Sequence, residues 1–476
     1  MKKEKNNKPS KELPLGFVDR QEKELLVRDF IISNIKEVMI KYGFQYLETP
    51  SFEYSESIGK FLPDKDRPDE GVFSFQDENK WLSLRYDLTA PLARYVAKNY
   101  LEIPKPFKRY QLGTVWRNEK PGPGRFREFL QFDADFVGTK NIYADAELCI
   151  LISNILEKCG LEKKDFIIKI SNRKLGIGLL EWLNIKSSEQ KLKIFRSIDK
   201  LDRLGEEEVV KLLGKGRKDK SGDFTEGAGL DNDQISKIQQ FFLLTDSLKS
   251  KKIEEQINDP KNQNEFLKTT QANSSTFAEG INELFQIRNI LNEYEFTNYE
   301  FDTTLIRGLE YYTGPIFEVV LKFKVKNSKG NEIEFGSIGG GGRYDNLIEN
   351  FGNLDCPATG ISVGIDRLVY ALMQRKKFKL NQSKPVVICT FDKNEIVNYI
   401  KLQKVLRAAG VNSEIYPGES KLKKQMEYAN KIKSPAVILY GENEIKSGKP
   451  TLRNLSSGEE KSIEIKKLVN EIKKII

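Results

Sequence analysis

The stretch Phe107–Gly138, FKRYQLGTVWRNEKPGPGRFREFLQFDADFVG, decides the fold, and it reads as strand, loop, strand. In the second half Phe126, Leu130, Phe132, Ala134 and Phe136 share one parity, interrupted only by Glu128, which is the period-two pattern of a strand with one buried face. The other parity carries Arg127, Phe129, Gln131, Asp133 and Asp135: a cation, an aromatic, an amide and two carboxylates. In the first half Tyr110, Leu112 and Trp116 alternate with Gln111, Gly113, Val115 and Arg117. NEKPGPG between the halves is a loop by its Pro and Gly. A polar parity of this kind is either the wet face of a hairpin or the wall of a site for a ligand bearing both signs of charge.

Working outward, Phe17 to Tyr42 has helical spacing at Leu25, Leu26, Phe30, Ile31, Ile35, Val38 and Met39, with Gly43 placed to end the helix. A strand is expected over Phe44–Thr49, and a hairpin from Gly71–Phe75 and Lys80–Leu84. It leads to Asp87 and Thr89 before a helix through Leu92, Tyr95 and Val96; Asp87 either caps that helix or holds a cationic group. Ala144–Cys159 reads as a helix and Phe166–Ser171 as a strand. Residues 175–294 take on helical character, with basic faces, as an insertion. Strand character returns at 300–325, where RGLEYYTG packs an arginine, an acid, two tyrosines and two glycines into eight residues. The run Gly339–Gly342 permits either close approach to a ligand or a tight turn, and no Gly-Lys-Ser/Thr follows it, so it is not a P-loop. Arg367 falls at the start of an apolar helix, as a phosphate contact or a surface ion pair. From Val386 onward, short apolar strands alternate with helices, which gives a separate α/β domain.

Composition narrows the chemistry. The chain has 476 residues, enough for two or three domains, and 39% hydrophobic against 31% charged residues. No apolar run approaches the roughly 20 residues of a membrane span. Residues 1–13 are lysine-rich and polar, read as a disordered arm and not a secretory signal. Four cysteines without a C-x-x-C pair fit a reducing cytoplasm and no thiolate metal site. The net charge of +9 suits a polyanionic partner without demanding one. There is no histidine at all, which removes Ser-His-Asp and Cys-His nucleophile systems and the usual base near neutral pH.

Five segments carry a resemblance. The early helix with FQYLETPSFEYSE, then YQLGTVWRNEKPGPGRFREFLQFDADFVG, then GISVGIDRL resemble the three signature motifs of class II aminoacyl-tRNA synthetases. RGLEYYTG and GGGRYDNL resemble segments of the histidyl-tRNA synthetase family, and the likeness runs from about Leu13 to the C-terminus. The resemblance implies an α+β catalytic domain over 14–380, built on a six-stranded antiparallel sheet with the helical insertion 175–294, and an α/β anticodon-binding domain over 385–476. It implies ATP-dependent ligation of L-histidine to its tRNA through a histidyl-adenylate, with Mg2+ on the phosphates, no metal ligand assigned among the side chains, and a homodimer formed through the N-terminal helix-strand motif. A non-catalytic regulatory subunit of ATP phosphoribosyltransferase is the alternative within the same fold.

On the residues, the resemblance places Arg117 and Arg307 on either side of the α-phosphate as electrostatic catalysts. Glu119, Arg125, Phe129 and Arg367 would join Arg117 in holding ATP. Asp87 and Thr89 would take the histidine ammonium group, Gln131 its carboxylate side, and Asp135, Tyr311 and Tyr312 the imidazole, beside Arg117 and Arg307. The chain departs from many bacterial members at Arg117-Asn118-Glu119-Lys120-Pro121-Gly122, in the loop that meets the tRNA acceptor end in the family, and at Glu310, where Asp is more usual.

Overall fold

In the computed structural model the chain divides into two units, 1–378 and 379–476. The structure describes all residues except 1–10, 60–70, 123, 219–221, 250–273, 306–310, 327–329, 353 and 376–383. The strands of the first unit are β1 (Gln45–Tyr46), β2 (Phe52–Tyr54), β3 (Ser74–Asp77), β4 (Lys80–Leu84), β5 (Phe107–Trp116), β6 (Glu128–Val137), β7 (Phe166–Asn172), β8 (Gly216–Lys218), β9 (Phe224–Glu226), β10 (Tyr299–Phe301), β11 (Pro315–Lys326), β12 (Glu332–Arg343) and β13 (Ala358–Gly364).

Eight of these form one sheet in the order β1-β5-β6-β13-β12-β11-β7-β10. The six from β5 to β7 are antiparallel throughout, while β1 and β10 add one parallel strand at each edge. Both faces of β6 are buried beyond its first turn of pleat, so the polar parity of Gln131, Asp133 and Asp135 is not a wet face. Between β12 and β13 the glycine run serves strand packing: a Cβ on Gly341 would stand 2.1 Å from the Gly360 carbonyl. Any larger residue there would push the two strands apart.

Helix Glu22–Lys41 buries Val27, Ile31, Ile35, Val38 and Met39. It ends where Gly43 takes φ +72°, with the Phe44 N–H reaching back to the Met39 carbonyl and the Gly43 N–H to that of Ile40. The sequence pattern starts this helix at Phe17, but the structure starts it at Glu22, because Gly16 and Arg20 are drawn instead to the cavity loop and to Asp366. The expected strand Phe44–Thr49 shortens to β1 and the Leu47 N–H bond to Tyr110.

Helix Ser275–Glu293 packs on Arg173–Trp182, on Tyr143–Lys158 and on β7. The flanks of the helical segment are thus part of the layer that supports the sheet. The second unit holds β14 (Val386–Cys389), β15 (Ser413–Ile415), β16 (Ala436–Leu439), β17 (Thr451–Asn454) and β18 (Glu460–Ser462) in the order β15-β14-β16-β17-β18. The first three are parallel and the last two antiparallel, a mixed sheet whose core includes Val386, Ile388, Leu402, Leu406 and Leu468. Among the described residues no helix is long and apolar enough to cross a membrane.

Candidate active site

A cavity of about 560 Å³ opens over the middle of the large sheet. Register explains what lines it. Gln131 lies between Gly113 on β5 and Gly364 on β13, so no side chain stands directly opposite it in either strand pair. Its amide nitrogen donates to Asp133 Oδ1 at 2.7 Å and to Ser362 Oγ at 3.0 Å. Around it stand Asp87, Thr89, Tyr311, Tyr312 and Ser362, a wall of hydroxyls and one carboxylate.

Asp87 caps the helix with one oxygen and leaves the other without a partner. Oδ1 accepts the Ala90 N–H at 3.0 Å and so caps helix Thr89–Lys98. Oδ2 is buried with no partner in hydrogen-bond geometry. Burial pushes this carboxyl up to about 6, the charge of Asp133 adding to that and the Ala90 N–H opposing it. A buried acceptor without a donor is costly unless a ligand supplies one.

Cations dominate the rest of the wall. Arg117 donates from Nε to the Tyr86 carbonyl at 3.1 Å and its guanidinium lies 5.3 Å from the centre of the Phe129 ring. Its charge favours the ionised forms of both Asp87 and Asp133. Arg367 donates to the carbonyls of Ser337 (3.0 Å) and Phe335 (2.8 Å) and stands 4.3 Å from the Phe335 ring. Burial, reinforced by the neighbouring charge of Arg125, lowers Arg367 to about 10. Two guanidinium groups held near each other in a half-closed cavity favour an anionic ligand. Glu119, Lys120 and Phe126 complete this part of the wall.

Of the residues expected from sequence, Asp87, Thr89, Arg117, Glu119, Arg125, Phe129, Gln131, Tyr311, Tyr312 and Arg367 line this one cavity. Asp135 does not. It shares the strand face of Gln131 and stands directly opposite Arg109 in register, with Oδ2 3.2 Å from Arg109 Nε and Oδ1 accepting the Tyr344 hydroxyl at 2.5 Å. Burial raises its carboxyl, with Asp133 adding to this and Arg109 opposing it. Arg307 and Glu310 lie outside the described residues.

Several residues that shape the site carry no role in the sequence reading. Arg109 is fully buried and also donates to the Leu88 carbonyl at 2.8 Å, between Asp87 and Thr89. Its odd-numbered position, shared with Gln111 and Arg117, is the signal that could have marked it. Asp133 sits on the polar parity already noted, and Tyr344 in GGGRYDNL, where its ring meets that of Tyr311 at 6.0 Å. Phe335 and Glu318 have no local pattern that singles them out.

Comparison with known proteins agrees over the whole chain. The family model described as Histidyl-tRNA synthetase matches residues 16–368, and that described as Anticodon binding domain matches 385–475. A histidine–tRNA ligase of Rhizobium meliloti strain 1021 is 45% identical over 474 residues, covering 98% of this chain and 92% of the relative. The crystal structure of histidyl-tRNA synthetase from Nostoc sp. PCC 7120 superposes with a TM-score of 0.72 at 28% identity, covering 98% of this chain and all of that one. An ATP phosphoribosyltransferase regulatory subunit/histidyl-tRNA synthetase from Bacillus halodurans shares the fold at TM-score 0.65 and 22% identity, over 88% of this chain and 97% of its own.

Proposed function

Because the chain belongs to the histidyl-tRNA synthetase family, we propose that the cavity over β5, β6 and β13 is where histidine and ATP are joined before transfer to tRNA. The reaction is ATP-driven ligation of histidine to tRNA. The layout of charge supports the site assignment: an unpartnered carboxylate oxygen beside two tyrosines, Arg117 next, and Arg125 with Arg367 beyond. Histidine presents an ammonium group, a carboxylate and an imidazole; ATP presents a polyanion and an aromatic base. The wall offers a partner for each.

In this reading Asp87 Oδ2 and Thr89 receive the ammonium group, and Tyr311 and Tyr312 face the imidazole. Asp135 acts on the imidazole, its charge held by Arg109. Gln131 sits on the carboxylate side, Phe129 and Arg367 hold the base, Arg125 meets the phosphates, and Glu119 meets the adenine or the metal ion that the phosphates carry. The histidine carboxylate attacks the α-phosphorus and pyrophosphate leaves. Negative charge grows on the α-phosphoryl oxygens, where Arg117, and Arg307 from the undescribed segment, stabilise it. The attacking carboxylate is already ionised, so the step needs orientation and charge and no proton acceptor. A chain without histidine loses nothing by this chemistry.

ATP arrives with magnesium as part of the substrate. Glu119 and Glu318 put hard oxygen donors on the wall, which suits Mg2+. Among the described residues no cluster of three or more His, Cys, Asp or Glu is arranged for a metal, so the phosphates would hold most of the ion's coordination. The second unit would read the tRNA anticodon. A homodimer through residues 22–54 is supported by exposed aromatics on that side, Tyr46, Phe52, Tyr54, Phe75 and Trp81. Four free, buried cysteines fit a cytoplasmic setting. The regulatory-subunit alternative is disfavoured by the anticodon-domain match and by the near full-length ligase relative.

Histidine-dependent exchange of pyrophosphate into ATP tests the reading. Purified protein should exchange with histidine and not with threonine or proline; equal exchange with these, or none with histidine, defeats it. The KM for histidine should also climb as pH falls through about 6, because protonated Asp87 no longer attracts ammonium. The imidazole of free histidine titrates nearby. Asp87→Asn therefore serves as the reference: it should show a high KM whose pH dependence is only that of the substrate.

A further inference from the structure

Residues 14–20 form no helix or strand, yet they are fastened at several points to the frame of the cavity. Arg20 donates from Nε to Asp366 Oδ1 at 2.7 Å and from a terminal nitrogen to the Glu128 carbonyl at 3.0 Å, with its guanidinium 5.8 Å from the centre of the Phe126 ring. Asp366 uses its other oxygen to accept the Leu130 N–H at 2.6 Å. Arg20 and Asp366 thus tie together the N-terminal segment, the beginning of β6 and the first turn of helix Ile365–Gln374. Arg367, next along that helix, reaches into the cavity.

Gly16 makes the second attachment. Its carbonyl accepts the Arg127 N–H at 2.8 Å, and Arg127 in turn donates from Nε to the Glu119 carbonyl at 3.1 Å, across the loop between β5 and β6. Gly16 has φ +84°, and a Cβ there would stand 2.7 Å from Arg127 Cγ, so glycine leaves room for that side chain to lie across the loop. Phe17 packs edge-on against Phe73 at 6.1 Å. Gly16, Arg20, Arg127 and Asp366 are absent from the cavity wall, whereas Glu119, Lys120, Arg125, Phe126 and Arg367 belong to it.

We propose that Arg20 and Gly16 are positioning residues for ATP. They hold the β5–β6 loop and the Arg367 helix at a fixed separation, so that the two sets of cations meet one nucleotide together. Among the described residues no side-chain hydrogen bond joins Asp87, Thr89 or Gln131 to Gly16, Arg20 or Arg127, so the histidine pocket should keep its geometry when the brace is cut. The proposal rests on the nucleotide assignment made above.

The test is the pyrophosphate-exchange assay on the full chain, with ATP and histidine varied separately. Arg20→Met keeps the bulk of the side chain and removes charged hydrogen bonds, and should raise the KM for ATP about tenfold. The KM for histidine should change less than about twofold. Gly16→Ala, which disturbs the same brace from the loop side, should give the same one-sided shift. Equal increases in both KM values, or an unchanged ATP KM in both variants, would overturn the proposal, since a merely structural role lowers Tm without separating the substrates. If Arg20→Met does not fold, Gly16→Ala decides by the same criterion. Wild-type protein without histidine-dependent exchange would instead overturn the function on which the proposal rests.

Discussion

Arg117→Ala should lower kcat for histidine-dependent pyrophosphate exchange by about 10²–10³-fold, the usual effect of removing one preorganised donor from developing charge. The expectation comes from where the side chain is held. Its Nε bond to the Tyr86 carbonyl and its place over Phe129 fix the guanidinium before any ligand arrives, so little reorganisation accompanies the reaction. The charge also lies within reach of Asp87 and Asp133, the groups on the proposed amino-acid side of the cavity. If its contribution is made in the transition state, kcat and kcat/KM fall together while the histidine dissociation constant stays within a few-fold. A large rise in KM with unchanged kcat would mean that Arg117 binds ground state and transition state alike, and would reject the catalytic role.

Arg109→Met is expected to be the most destabilising single change in the site, by about 3–5 kcal/mol, because it leaves Asp135 buried without its cation. The charges of Asp133 and Asp87 add to the cost of keeping that carboxylate ionised. The sign with pH follows. Burial already raises Asp135 above an ordinary carboxylate, and losing Arg109 raises it further. A carboxyl that binds its proton more tightly folded than unfolded costs stability once pH rises above the unfolded value. The deficit of Arg109→Met should therefore grow between about pH 5 and about pH 8. Adding Asp135→Asn removes the unpaired charge and should recover most of the lost Tm. Thermal unfolding of the three variants across that range decides the matter, and a double variant no better than the single one would reject the charge-pair account.

The two long strands of the opening stretch were legible because alternation and a Pro-Gly loop are local signals, and they lie at Phe107–Trp116 and Glu128–Val137. Gly43 was legible for the same reason, as a residue whose conformation ends a helix whatever surrounds it. Other features depend on partners far along the chain. Whether Gln131, Asp133 and Asp135 face water or a cavity turns on β13, more than 200 residues later. Asp135 shares parity with Gln131, yet Gly360 beside it lets the carboxylate sit down between strands: a Cβ there would come within 2.0 Å of Oδ1. The helix start at Glu22 was unreadable because Arg20 answers to Asp366, 346 positions away. Arg109 looked like any strand arginine until its cross-strand neighbour was known.

The pairing of β6 with β13 also sets a schedule for synthesis. Val137 faces Ala358 and Gln131 faces Gly364, so the floor of the cavity is assembled from halves that leave the ribosome far apart in time. At about 5–20 residues per second, some 10–45 seconds separate them. Through that interval the β5–β6 hairpin, a local structure that forms quickly, must carry an open hydrogen-bonding edge and the carboxylates of Asp133 and Asp135. The acidic parity then does a second service: like charges along a nascent edge discourage it from pairing with a neighbouring chain.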